Sequence, residues 1–298
     1  MDTISFDSSG TRCAAWYLPA GNDDLTTSRG RPCVVMGHGF AATRDAGLLP
    51  FAERFAAAGS DVLVFDYRGF GTSEGEPRQD VNHLRHRQDY HAAIRAARRM
   101  RGVDPARIAL WGSSYSGGHV VAVAARDRSV AAVISQGAAM DGLAALLFVR
   151  KAAGTGKLVK LTAAGLGDLV RAATRRQPAL VPVVGEPGSD AVISAPGSVA
   201  GYQAIMGPTF RNEMLGRGIL RLAVNRPVRS AGKLTCPILL IVADNDNIAP
   251  AAAVHRVARK APLSEVEAFA CGHFDIYLGE VFEKSVARQV EFLSRHLG

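Results

Sequence analysis

From residue 32 onward the chain alternates short apolar runs with longer segments of helical period. The runs are CVVMG (33–37), DVLVFD (61–66), RIALWG (107–112), VAAVIS (130–135), PILLIVA (237–243) and SEVEAFA (264–270). They are short, rich in Val and Ile, and apolar at consecutive positions. That is the pattern of strands covered on both faces of a parallel sheet. Between them, Leu48–Ala58 reads as a helix ending at Gly59, a C-cap position. Asp80–Arg101 sets Leu84, Tyr90, Ile94 and Ala97 at roughly helical spacing and stops at Gly102. Glu280–Leu297 does the same with Val281, Val286, Val290 and Leu293. Two earlier runs, Thr3–Phe6 and Cys13–Leu18, flank an SSG turn and predict a hairpin, followed by the polar loop GNDDLTTSRGR. A hairpin plus six parallel strands with crossover helices predicts an α/β fold around an eight-stranded, mostly parallel sheet.

The rhythm breaks once. Residues 137–232 are Ala/Gly/Leu-rich and basic, with no strand-like run except PALVPVVG (178–185). Gly and Pro residues from 182 to 208 punctuate what reads as several short helices and loops. About 95 residues between two strands exceed any simple connection. The expected organisation is therefore a core of residues 1–136 and 233–298 with an inserted helical cap, 137–232.

Composition narrows the picture. Of the 298 residues, 48% are hydrophobic and 21% charged, which suits an ordinary packed core. The four cysteines, Cys13, Cys33, Cys236 and Cys271, form no CxxC pair, so they read as reduced, buried thiols. The N-terminus lacks a basic patch followed by an apolar run, and no apolar stretch approaches membrane-spanning length. A cytoplasmic protein without a membrane span is the expectation. The net charge of +8 is unevenly placed: residues 137–232 carry 12 Lys/Arg against 5 Asp/Glu. No nucleic-acid motif accompanies this excess, so a nucleic-acid partner is not expected. The segment reads as a solvated basic face, or as the approach for an acidic or carrier-bound acyl substrate.

The strongest chemical signal is Ile108-Ala-Leu-Trp-Gly-Ser-Ser-Tyr-Ser-Gly-Gly-His119. A strand runs into small residues and then a helix, as in a nucleophile elbow, whose strained turn needs small neighbours two positions either side of the serine. Ser114 has Gly112 and Ser116 there, a serine replacing the usual glycine. Ser113 would place Trp111 at a position that must be small. Ser116 is sterically allowed but lengthens the strand-to-turn spacing, so packing favours Ser114 and leaves Ser116 as the alternative.

A serine hydroxyl needs a base, and the base an orienting acid. PILLIVA leads into Asp244-Asn-Asp246-Asn-Ile-Ala-Pro250, and SEVEAFA into Cys271-Gly-His273-Phe-Asp275. Both lie at C-terminal ends of predicted strands, where sites of open α/β sheets form. His273 is the candidate base. Asp246 is favoured over Asp244 as the acid because it lies further out on its loop; Asp275 is too close behind His273 to orient it easily. An oxyanion hole needs two backbone N–H donors. Tyr115, after the nucleophile, and Phe40, in Gly37-His38-Gly39-Phe40, are the candidates. His38 is expected to orient that loop.

Together HGF (38–40), DYRGFGTSEGEP (66–77), GSSYSGG (112–118), ADNDNIAP (243–250) and the stretch from His273 to Tyr277 resemble the α/β-hydrolase superfamily, with a looser similarity to bacterial esterases and acylpeptidase-like enzymes. The resemblance implies a Ser114–His273–Asp246 triad with Phe40 and Tyr115 as oxyanion donors, and Asp66, Arg68 and Ser73 as shapers of their loop. With no Walker loop, G-x-G-x-x-G or metal-ligand cluster, no cofactor is expected. The expected chemistry is hydrolysis of a small-molecule carboxylic ester. Alternatives are a thioesterase acting on acyl-CoA or an acyl carrier, a peptidase, a carbon–carbon bond hydrolase and a non-catalytic receptor on the same scaffold.

Overall fold

A computed structural model describes the whole chain, Met1–Gly298. The hairpin is present as β1 (Asp2–Ser8) and β2 (Thr11–Leu18). β3 (Arg31–Gly37), α1 (Leu49–Ala57), β4 (Asp61–Phe65), α2 (His83–Ala97), β5 (Val103–Ser113), α3 (Tyr115–Ala124) and β6 (Ala132–Gln136) follow. Between β6 and the next sheet strand lie α4 (Gly142–Ala173), β7 (Leu180–Val181), α5 (Ser198–Ile205), β8 (Met214–Leu215) and short 3₁₀ turns. β9 (Ile238–Ala243), α6 (Ala251–Ala258), β10 (Ser264–Phe269) and α7 (Gly279–Leu297) complete the chain.

The sheet has eight strands in the order β1-β2-β4-β3-β5-β6-β9-β10. β1 and β2 are antiparallel, β2 joins β4 antiparallel, and all other pairs are parallel. Side chains alternate between two cores, which explains the unbroken apolar runs. Cys33 and Val35 of β3, with Ile238, Leu240 and Val242 of β9, meet Tyr90, Ile94, Val120 and Val254 of α2, α3 and α6. Val34, Met36, Leu239 and Ile241 point the other way, onto Phe51 and Phe55 of α1 and Phe292 and Leu293 of α7. All four cysteines are buried and unpaired.

Three expectations need correcting. SEVEAFA is an edge strand and none of β10 is fully buried. Its Glu265 and Glu267 face α7, where Arg288 and Arg295 reach Glu265 at 2.5 and 2.9 Å. The second helix starts at His83 because Asn82 caps it, accepting from the Leu84 and Arg85 N–H groups. Leu84 then points outward, 55% exposed. Residues 142–173 form one long helical element broken at Gly154 (φ 81°), and only α5 and the 3₁₀ turns match the short pieces anticipated.

The chain between β6 and β9 lies against the loops that follow β3, β4 and β10. Tyr202 donates to the Phe40 carbonyl at 3.0 Å, and Gln79 Nε2 donates to the Glu213 carbonyl at 2.8 Å. A Cβ on Gly201 would fall 2.1 Å from Phe274 Cδ2, so α5 lies directly on the loop that carries His273.

Candidate active site

β5 delivers Ser114 to a turn that L-residues rarely adopt, φ 56° and ψ −119°. The strain is held on both sides. Ser114 N–H donates to the Gln136 carbonyl at 2.8 Å, and Ser114 O accepts from Gly117 and Ala139. A Cβ on Gly112 would meet Ser116 O at 2.5 Å, which is why this position must be small. Below the turn, Trp111 Nε1–H donates to Gln289 Oε1 (2.7 Å), and Gln289 Nε2–H donates to Gln136 Oε1 (2.8 Å). α7 is thereby tied to the two strand ends that carry the elbow.

His273 Nε2 lies 3.1 Å from Ser114 Oγ, and His273 Nδ1 lies 2.6 Å from Asp246 Oδ2. The other Asp246 oxygen accepts from the Ile248 and Ala249 N–H groups, both at 2.7 Å. The carboxylate is thus fixed before it meets the imidazole. His273 and Asp246 are buried and Ser114 is half-buried. Phe274 packs edge-on against the imidazole.

The competing residues lie elsewhere in the network. Ser116 is fully buried; its Oγ accepts from Tyr67 OH at 3.1 Å and pairs with Tyr90 OH at 2.5 Å. Ser113 Oγ pairs with Tyr277 OH. Asp244 is half exposed, 3.5 Å from His255, and Asp275 accepts from the Gly272 N–H. Phe40 and Tyr115 are in ring contact at 5.4 Å. Tyr115 opens α3, so its N–H has no helical partner, and neither amide donates to a loop or turn carbonyl.

Behind the elbow is a buried group of rings. His38 Nδ1–H donates to the Gly39 carbonyl, and its Nε2 faces the Tyr67 N–H at 3.5 Å. Burial pushes its pKa down to about 3, so it is a neutral brace for the Phe40 loop. His86 stacks on Tyr67, with His119 3.3 Å away, and burial lowers both well below the ordinary value. Asp66 accepts from the Arg44 and Thr72 amides and Ser73 Oγ–H donates to the Asp66 carbonyl. Arg68 pairs with Asp89. Those three residues shape their loop. Tyr202, Gln136 and Gln289 carry no signal in the sequence, because the hydrogen bonds joining them to the site span 153 to 178 residues.

A doubly wound sheet with a strained serine at one strand end, a histidine after the last strand and a carboxylate after the strand before it defines an α/β hydrolase. The chain belongs to that superfamily: residues 28–272 match the serine aminopeptidase S33 family. It is 38% identical to the quorum-quenching protein AidA of Acinetobacter baumannii, covering 98% of this chain and 94% of that one. It is 27% identical to polyketide transferase af380 of Aspergillus fumigatus, over 95% and 93% of the two chains. The crystal structure of the α/β hydrolase GrgF from Penicillium sp. superposes with a TM-score of 0.82 at 23% identity, covering 99% of this chain and 98% of that one. No helix is long and apolar enough to cross a membrane.

Proposed function

We propose that the protein hydrolyses a carboxylic ester through an acyl-enzyme on Ser114, His273 and Asp246, beneath a cap formed by residues 137–232. The observation that carries this reading is the unbroken line from Asp246 Oδ2 through His273 to Ser114 Oγ, with gaps of 2.6 and 3.1 Å. Asp246 holds the imidazole with its proton on Nδ1, leaving Nε2 free to take one. Ser114 Oγ attacks the acyl carbon as its proton passes to His273 Nε2. The carbonyl oxygen becomes an oxyanion, held by the Phe40 and Tyr115 N–H groups. The intermediate collapses, and His273 returns the proton to the leaving alkoxide. Water then repeats the cycle on the acyl-enzyme and frees the acid.

A thioester on an anionic carrier is the second reading. The net excess of seven positive charges in residues 137–232 favours it. So does a relative named thiohydrolase aneE, from Aspergillus aculeatus, 34% identical over 61% of this chain and 54% of that one. The likeness to a quorum-quenching protein adds cell–cell signalling molecules with an acyl carbonyl to the substrates worth testing.

A fluorophosphonate probe tests the chemistry. Labelling at Ser114, absent in Ser114→Ala, is expected; folded wild-type protein that resists the probe would refute it. A panel of p-nitrophenyl esters run beside acyl-CoAs separates the readings. Acyl-CoA turnover that outpaces ester turnover and falls with added salt would favour the thioester.

A further inference from the structure

Helix α4 spends little of its surface on the protein. Of its 32 residues only Lys157, Leu161, Gly165 and Asp168 are buried, all beyond the Gly154 break. The stretch before the break, beginning GLAALLFV, has no fully buried residue, and Leu143, Leu146 and Leu147 in it are exposed. Fifteen large hydrophobic residues in the chain are exposed, and seven lie on this helix, too many for random scatter. Beyond the break, Leu161, Gly165 and Asp168 face inward. Val159, Leu166 and Val170, spaced seven and four apart, form one stripe on the opposite side and are 62, 51 and 63% exposed.

Charge gives this face a direction. Residues 142–176 hold seven Lys/Arg and one carboxylate, Asp168. Asp168 is buried, accepting from the Ala179 and Arg217 N–H groups. Lys157 is used on the Ser189 and Ala191 carbonyls, and Lys160 pairs with Asp190. Arg150, Lys151, Arg171, Arg175 and Arg176 are exposed and face no carboxylate. A second copy docked helix to helix would bring these cations together, so self-association through this face is opposed. A helix with a long apolar stripe and flanking unpaired cations suits an anionic lipid surface, lying in its plane.

We propose that α4 docks this protein onto anionic membrane surfaces. The proposal does not rest on the assignment of the triad. Its test is co-sedimentation of the full chain with phosphatidylcholine vesicles, plain or about one-third phosphatidylglycerol. Binding to the anionic vesicles is expected at least about tenfold tighter than to the plain ones, and weakened by salt. The double substitution Leu166→Glu/Val170→Glu, at exposed positions, is expected to lose about tenfold or more in vesicle affinity while keeping Tm and esterase turnover. Arg175→Gln/Arg176→Gln should lose affinity for anionic vesicles alone. No binding to anionic vesicles at low salt would overturn the proposal. So would equal binding by the Glu variant, or a dimer that Leu166→Glu/Val170→Glu dissociates without any vesicle binding by the wild type.

Discussion

The two serines of the elbow are set to answer opposite experiments. Ser116 Oγ sits in a chain of hydroxyls: Tyr67 donates to Ser116, Ser116 to Tyr90, and Tyr90 to the Trp111 carbonyl. Ser116→Ala leaves the Tyr67 hydroxyl without its acceptor in a fully buried place. A buried donor stranded in this way costs about 1–3 kcal/mol. The lower half of that range applies, because partial repair is available. Both tyrosine hydroxyls converge on Gly37, within 2.6 and 2.8 Å of where its Cβ would stand, so a small shift lets Tyr67 donate to Tyr90. We expect Ser116→Ala to cost about 1–2 kcal/mol, or roughly 2–3 °C in Tm for a chain of this length, with kcat changed less than about threefold. Ser114→Ala keeps the same backbone and removes only the hydroxyl facing His273. It should lower kcat by about 10³-fold or more with Tm within about 1 °C. Thermal melts and ester turnover on both variants decide. A Ser116→Ala enzyme that is dead but stable, or a Ser114→Ala enzyme that still turns over, would refute the reasoning.

Asp246→Asn keeps the Ile248 and Ala249 contacts but favours the wrong imidazole tautomer; kcat should fall by about 10⁴-fold with KM little altered. Tyr202→Phe frees the Phe40 carbonyl and loosens the loop bearing the proposed Phe40 oxyanion donor. Steady-state kinetics should show kcat down about tenfold, with a smaller change in KM. Acid should weaken the fold early. His38, His83, His86 and His119 have pKa values pushed below 6.5 by burial, the first two to about 3 and about 4. The unfolded chain then binds more protons than the folded one once pH drops below about 6.5, so stability falls with pH, by up to about 1.4 kcal/mol per unit for each such histidine. Denaturant melts between pH 7 and 5 measure this, and a flat profile would show that the buried rings are solvated.

The sheet is legible because strands buried on both faces write themselves as continuous apolar runs, and β9 is the clearest. β10 passes for one of them in sequence because Val266 and Phe269 sit among residues that tolerate exposure. The elbow can be placed because the steric limit at Gly112 comes from Ser116, only four residues along the chain. Chain order points to His273 and narrows the acid to the loop after β9, where Asp246 is favoured over Asp244 only by its reach. Their distances cannot be read from it, since these depend on Asp246 being anchored by its own loop amides. α4 leaves a weaker trace. The helix resumes directly after its break at Gly154, and the apolar excess that usually marks a buried helix here faces outward. Tyr202 lies in a segment without periodicity, and its bond to the Phe40 carbonyl follows from how α5 is laid over the core.

The arginines gathered against β10 bear on how the molecule behaves in a crowd. An unpaired sheet edge is a template for a strand from another molecule. Here Glu265 stands on that edge, gripped by Arg288, Arg295 and His296. Burial raises its pKa, but hydrogen bonds from Arg295, Arg288 and His296 outweigh that and hold it at about 2. An incoming strand would have to approach past this fixed cluster of charge. The cluster also stays charged at pH values that begin to protonate the buried histidines. As long as the sheet remains folded, acid therefore loosens the interior before it uncovers the edge, and strand-to-strand aggregation is resisted through the early part of an acid transition.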